Sequence, residues 1–369
     1  MNENWKFSDI PYTRPDVEAL QARYDALTRR ARDAAGPEEL LRVVRDRDAL
    51  QQEVSLCQSI ATIRTFHDVT DAFYQTEFQE TLPRLETLDS QSLAQAIVES
   101  PYAQAVDEAF GPQLRAAQVS PDRDRRKAAF EAERQTVLAQ ADTLEQLLRD
   151  LVRARNDLAR ANGFDNFADY GGLAMQRVGY GRAELDEFCR QVRTHITPVY
   201  LRFQEEQRRR LGVDVLMPYD RPLVFPEGNA VPVAEDELPR AARRMYHALS
   251  PEAGEFFDEM VRRELLDVAA SPNKISGMGF CEELAEPYRM PFVFANCSGT
   301  ASDVTVYTHE LGHGLQGYLS AQAQPVSDYI GLSPDLAEVH SKTMELLPLP
   351  YAPGVVEALA QTLRHQPTP

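Results

Sequence analysis

The sequence predicts a mostly α-helical protein with one small β-element. Three observations carry that prediction. Apolar residues recur at three- and four-residue spacing from Val17 to about Leu266. Glycine and proline are confined to a few short stretches, leaving long runs of Leu, Ala, Arg, Glu and Gln between them. Only over residues 274–300 does the texture change, to a short run of strand-forming residues bounded by turn signals.

Residues 1–14 read as an irregular lead-in, after which Val17, Leu20, Tyr24 and Leu27 set a helical period. Gly36-Pro37-Glu38-Glu39 is a break followed by a helix start, with proline at the first helical position and acids in the first turn. One or two long antiparallel helices follow, to about Leu85. Shorter helices are expected over residues 90–120, split at Ser100-Pro101 and Gly111-Pro112, and helix resumes at Pro121-Asp122 through Phe130 and Val137. Leu144, Leu147, Leu148, Leu151 and Leu158 mark an amphipathic helix closed by Asn162-Gly163. Asp165 is expected to cap a short helix carrying Phe167 and Tyr170, and another helix spans about Ala183 to Gln207. Pro218, Pro222, Pro226 and Pro232 mark a loop-rich connection over 212–235, before helices at Glu235–Leu249 and Pro251–Leu266. The β-element is Phe292-Val293-Phe294-Ala295-Asn296-Cys297, with Pro291 at its start.

The 369 residues suffice to bury a large core and suggest more than one domain. Apolar residues at 43% and charged residues at 26% are ordinary for a soluble globular chain. No apolar run reaches the ~18 residues of a membrane span, and Met1-Asn2-Glu3-Asn4-Trp5-Lys6 has no secretory character. The four cysteines are scattered without a C-x-x-C pair, which suits free thiols in a reducing cytoplasm. A net charge of −18 argues against nucleic acid as a partner and is read as solubility. No membrane partner is expected, and self-association is left open.

The chemistry concentrates in Thr308-His309-Glu310-Leu311-Gly312-His313-Gly314-Leu315-Gln316. Positions i and i+4 share one helix face, so His309 and His313 can bind one metal ion, with Glu310 beside them to act on a water. Ser302 or Asp303 is expected to cap this helix. Val304, Tyr307, Leu311, Leu315 and Tyr318 form its packing stripe, and the histidines lie roughly 160–200° away from Leu311 and its neighbours. Single buried histidines satisfied by hydrogen bonds are common, but two on one face beside a glutamate are harder to assign to packing. Catalytic zinc needs a third protein ligand. On the helix beginning near Pro334, Glu338, Ser341 and Glu345 fall at i, i+3 and i+7, on one face. Glu338 is the expected third ligand, against the alternative of a solvated helix charge. Glu345 is the expected hydrogen-bond partner of a ligand histidine.

His309-Glu310-x-x-His313 followed after 24 residues by Glu338, within Glu-Val-His-Ser-Lys-Thr-Met-Glu, resembles the oligoendopeptidase F branch of the thimet oligopeptidase family of zinc metallopeptidases. The run Asn273-Lys274, Gly279-Phe280-Cys281, Pro291 to Asn296, Gly299-Thr300 and Asp303-Val304 is similar to the segment that precedes the zinc helix in that family. So are Leu158-Ala159, Gly163 to Phe167 and Leu249-Ser250-Pro251-Glu252. The likeness spans roughly residues 140–347. It implies a zincin-like (gluzincin) helical metallopeptidase fold, mostly α, with the small β-element beside the zinc helix. The expected organisation is an N-terminal helical region over 1–135, a catalytic domain over 136–347 and a divergent tail over 348–369.

The resemblance further implies one Zn2+ per chain on His309, His313 and Glu338, Glu310 as general base, and short peptides as substrates. It also implies that Phe294, Ala295 and Asn296 pair with extended substrate, against the alternative of ordinary strand packing. After Glu345 the family continues into a Gly-rich loop with histidine and tyrosine residues that stabilise the oxyanion. Here Tyr351 is the only tyrosine beyond Glu345, and nothing around it resembles that loop. The expectation is therefore a truncated member with an uncovered apolar patch and weakened turnover. A second reading is a zinc- or peptide-binding remnant of such a peptidase. A third is a helical scaffold in which the histidine pattern is accidental.

Overall fold

In the computed structural model, α1 (Val17–Asp33) and α2 (Pro37–His67) pair antiparallel. Arg23 donates to both carboxylate oxygens of Glu53, Arg30 pairs with Asp46, and Leu20, Leu50, Val54 and Ala61 are buried in a small core. The structure describes residues 4–33, 37–81, 84, 120–139, 141–228, 238–275, 278–296, 301–325 and 329–351. The shorter helices expected over 90–120, and Cys297, lie outside the described residues. After α2 come α3 (Ala72–Thr76), capped by Asp71, and one π-turn at Glu77–Thr81. Glu77 is fully buried there and accepts from the Tyr12 hydroxyl at 2.7 Å and from Arg14.

The chain divides into two compact units. One comprises residues 1–92, 231–332 and 336–369, and the other residues 93–230 with 333–335. The N-terminal helices thus share a unit with the His-Glu segment.

The second unit holds α4 (Arg123–Ala139), α5 (Ala141–Ala161), α6 (Phe167–Ala174), α7 (Arg182–Gln191) and α8 (Thr197–Leu211). Gly163, at φ 84, turns the chain after α5, as the Asn-Gly pair predicted. The cap of α6 is Asn166, whose side chain accepts from the Asp169 amide, and not Asp165. The single helix expected over 183–207 is interrupted by a π-turn at Val192–Ile196, two residues before Pro198, whose ring nitrogen cannot donate to the helix ladder. Asp220 is fully buried and accepts from Arg123 and Arg126, tying α4 to the 218–220 turn.

In the first unit α9 (Leu238–Leu249) and α10 (Pro251–Arg262) pack together, and α10 is capped by Ser250. The helix expected to reach Leu266 stops at Arg262, because Glu264 turns at φ 57 and Leu266–Asp267 become strand β1. The predicted β-element is one strand of three. β3 (Met290–Ala295) lies in the centre, parallel to β1 and antiparallel to β2 (Gly279–Leu284). All six β3 residues are buried, and Phe294 stacks on Phe280 at 4.9 Å. Asn296 accepts from the Ser271 amide and donates to Ser271, Lys274 and Ile275 carbonyls, fixing the loop beside β3.

The helix α11 (Ala301–Ala323) crosses this sheet. Val304, Tyr307, Leu311 and Tyr318 of the predicted stripe are buried in the main core with Phe256, Phe257, Met260 and Val293. Ser302 and Asp303 fall in the first turn of the helix, where the negative charge of Asp303 suits the helix dipole. The last described helix, α12 (Pro334–Leu346), begins at the predicted proline. Its Leu336, Val339 and Leu346 are exposed, an apolar stripe uncovered among the described residues. No described helix is long and apolar enough to cross a membrane.

Candidate metal centre and active-site groove

Two helices and one strand build the site. The first is α11, which carries His309 and His313 one turn apart, their rings 4.9 Å between centroids and nearly perpendicular. Donor atoms of His309, Glu310 and His313 lie within 4.8 Å of one another. The second is α12, which brings Glu338 against both histidines. Its Oε2 lies 3.5 Å from His309 Nε2 and its Oε1 3.8 Å from His313 Nε2.

Those separations are too long for hydrogen bonds. Two ligands held tetrahedrally at zinc distances of about 2.0–2.1 Å lie about 3.4 Å apart, close to the 3.5 and 3.8 Å between the Glu338 oxygens and the two histidine nitrogens. Two imidazoles and a carboxylate are also a donor set that borderline-soft zinc accepts.

Neighbours hold His309 and Glu338 in place. His309 Nδ1 donates to Glu345 Oε1 at 2.7 Å, which leaves Nε2 free to face Glu338. Glu345 also accepts from Lys342 Nζ at 2.7 Å. Burial pushes the Glu345 carboxyl up, but the hydrogen bonds from Lys342 and His309 outweigh it and hold the group below the usual carboxylate range. The buried Ser341 hydroxyl donates to Glu338 Oε2 at 2.9 Å. Burial and the neighbouring His309 lower the His313 pKa, which favours the neutral imidazole a metal requires. Glu310 is only 8% exposed. Burial raises its pKa to about 7, with His309 pulling it down and Glu338 pushing it up.

The third wall is β2. A side chain at Gly279 would meet Val306 Cγ1 and Glu310 Oε1, so positions 279, 281 and 283 of this strand face α11. Gly279, Phe280, Cys281 and Glu283 line one groove with His309, Glu310, His313, Gln316 and Glu338. Sequence reasoning missed this wall. The signal available was the Gly-Phe-Cys triplet within the segment already set apart by its composition.

The residues expected to pair with substrate sit elsewhere. Phe294 and Ala295 are completely buried in the central strand, Phe294 between β1 and β2, while Asn296 ties down a loop. β3 pairs with β2 at all six positions and with β1 at Val293 and Phe294, which leaves little free backbone for the peptide pairing that the resemblance implied for Phe294, Ala295 and Asn296. The sheet edge beside the histidines is β2.

Comparison with known proteins decides the lineage. Residues 7–120 match the Peptidase M3 N-terminal domain, and residues 116–235 and 244–353 match Peptidase family M3. The chain belongs to peptidase family M3. Among solved structures, it is similar to PZ peptidase A with inhibitor 2, at 30% identity and a TM-score of 0.80, covering 98% of this chain and 73% of the other. A 3.1 Å X-ray structure of a protein assigned as oligoendopeptidase F is similar at 30% identity and TM-score 0.79, with the same coverage. A protein assigned as oligoendopeptidase F from Bacillus anthracis str. Ames matches at 27% identity and TM-score 0.80, covering 98% and 76%. Among curated proteins there is no match. The M3 assignment makes the chain a metallo-oligopeptidase, mostly helical with one small sheet, in line with the resemblance its motifs carry.

Proposed function

We propose that this M3 peptidase is a zinc-dependent endopeptidase of short peptides, with His309, His313 and Glu338 holding one zinc ion and Glu310 as general base. The observation that carries the proposal is the convergence of both histidine Nε2 atoms on the Glu338 carboxylate, with Glu310 at the same helix turn. When bound, zinc supplies Lewis acidity, acidifying a water and polarising a carbonyl. Glu310, on the same helix turn as the histidines, would accept a proton from the attacking water and return it to the leaving amine. Glu345 holds His309 in the tautomer that presents Nε2.

An extended peptide would add as a further strand along the edge of β2 that pairs with no other described strand, its backbone paired with the sheet and its scissile bond over the histidines. Free thiols at Cys57, Cys189 and Cys281 suit the reducing cytoplasm as the place of action. An internally quenched short peptide tests the proposal. Cleavage should require zinc, cease with a chelator, and be lost in Glu310→Gln while zinc stays bound. A folded, zinc-loaded chain that cuts no peptide would instead support a peptide-binding remnant.

A further inference from the structure

The wall of the groove carries one carboxylate that the proposed hydrolysis does not use. Glu283 lies on β2 two and four positions beyond Cys281 and Gly279, so it faces α11 as they do. It comes to rest on Gly317, where a Cβ would be 2.5 Å from Glu283 Oε1. Glycine at that helix position therefore makes the room the carboxylate occupies. Glu283 reaches solvent and lines two spaces at once: the groove with His313 and Gln316, and an adjoining cavity of about 180 Å³ with Glu286, Arg289 and Ile330.

No hydrogen bond or ion pair reaches its side chain among the described residues. The one cation in the adjoining wall is engaged elsewhere. Arg289 bonds Glu286 at 3.2 Å and the carbonyls of Ala321 and Gln324 at 2.8 and 2.7 Å. Glu282 points to the other face, where it accepts from Ser59. Partial burial against α11 and the neighbouring charge of Glu282 raise the Glu283 pKa, the mark of a carboxylate lacking a cationic partner.

We infer that Glu283 is a specificity-determining residue that receives a cationic group, ammonium or guanidinium, from a peptide lying in the groove. This rests on the peptidase reading of that groove. Its register sets where the cation belongs. The strand and α11 run side by side, with Gly279 beside Glu310 and Glu283 beside Gly317. Gly317 is about 9 Å along the helix axis from the midpoint of the two histidines. That span equals about three residues of extended chain. The cation is therefore a Lys or Arg side chain within about three residues of the scissile bond, or the free amino terminus of a peptide bound that far along.

Peptide binding to the zinc-loaded Glu310→Gln chain, read by fluorescence anisotropy, tests this without hydrolysis. Peptides carrying lysine or its uncharged isostere norleucine at each of the three positions on either side of the scissile bond are compared, with free or acetylated amino termini. The lysine form at one position should bind about tenfold tighter than the norleucine form, as a charge-assisted contact allows. Adding Glu283→Gln should collapse that ratio to near one, and Glu283→Lys should reverse it in favour of a glutamate peptide. A preference that vanishes only on acetylation assigns the cation to the amino terminus. Equal affinities of charged and neutral peptides, or a lysine preference that survives Glu283→Gln, would overturn the assignment while leaving the peptidase reading intact. A failure of every peptide to bind would overturn both.

Discussion

Gly312 of α11 lies against the backbone of Ser341 in α12, so closely that a Cβ at 312 would sit 2.8 Å from the Ser341 Cα and 2.9 Å from the Met344 Cβ. This contact sets the distance between the helix that carries the two histidines and the helix that carries Glu338. A glycine inside a helix costs about 1 kcal/mol relative to alanine, so propensity alone would favour Gly312→Ala. The collision reverses that sign. The substitution forces α12 outward, and overpacking of this kind costs about 1–3 kcal/mol. Gly312→Ala should lower the thermal midpoint and weaken zinc binding by about tenfold or more in a competition titration with a chromogenic chelator. A variant that is more stable and binds zinc unchanged would show that the helices do not need this contact.

Glu345 should matter for zinc affinity without touching the ion. Its bond to His309 Nδ1 orients the ring, so Glu345→Gln should reduce zinc affinity by roughly 10–100-fold. Lys342→Ala removes only an exposed partner of the same carboxylate and should cost well under that. The same chelator competition separates the two variants, and equal losses would contradict the orienting role.

The parts of the site that were legible in the sequence are those encoded within single helices. The four-residue spacing of His309 and His313, and the shared face of Glu338, Ser341 and Glu345, depend only on helical periodicity, and the structure brings all five together. What was not legible depends on which strand lies beside which. β2 reads Gly-Phe-Cys-Glu-Glu-Leu, and its glycine and paired glutamates argue against a strand when taken locally. It becomes one by pairing with β3 over all six positions, a non-local fact. The central place of β3 was hidden for the same reason, and with it the burial of Phe294 and Ala295. The closeness of Gly312 to Ser341 likewise belongs to a pair of helices and to neither one alone.

The buried charge cluster at Asp220 gives a test of the second unit. Asp220 is fully buried and accepts from Arg126, itself 2% exposed, at 2.9 Å, and from Arg123 at 3.0 and 2.8 Å. Arg126 also donates to the carbonyls of Ser120, Pro121 and Tyr219. Removing it leaves three carbonyls without their donor and takes one of two guanidinium partners from the buried Asp220, which keeps Arg123 and the Met217 amide. Arg126→Ala should therefore cost about 1–3 kcal/mol, whereas Arg23→Ala, which breaks an exposed pair with Glu53, should cost less than about 1 kcal/mol. Hydrogen exchange resolves the difference: protection in α4 should fall steeply in Arg126→Ala, while α1 and α2 in Arg23→Ala should keep nearly all of theirs.

Glu310 makes the metal-free protein's stability depend on pH. Its carboxyl is raised from the ordinary value of 4.5 to about 7, because burial penalises the charged form. A group whose folded-state pKa is raised stabilises the fold most below its unfolded value, and that contribution is lost as pH climbs through the folded value. The metal-free chain should therefore lose stability between about pH 5 and pH 8, by an amount on the order of 2 kcal/mol from this residue. Glutamine at 310 has nearly the same shape and no charge to bury. Metal-free Glu310→Gln should match the parent near pH 5 and melt higher than it at pH 8. With zinc bound, the ion's positive charge beside Glu310 favours the carboxylate, so the advantage of glutamine at pH 8 should shrink or vanish. Melting curves of both proteins at the two pH values, with and without zinc, provide the check. A pH-independent difference between the two metal-free proteins would mean that Glu310 is not the group whose ionisation strains the fold.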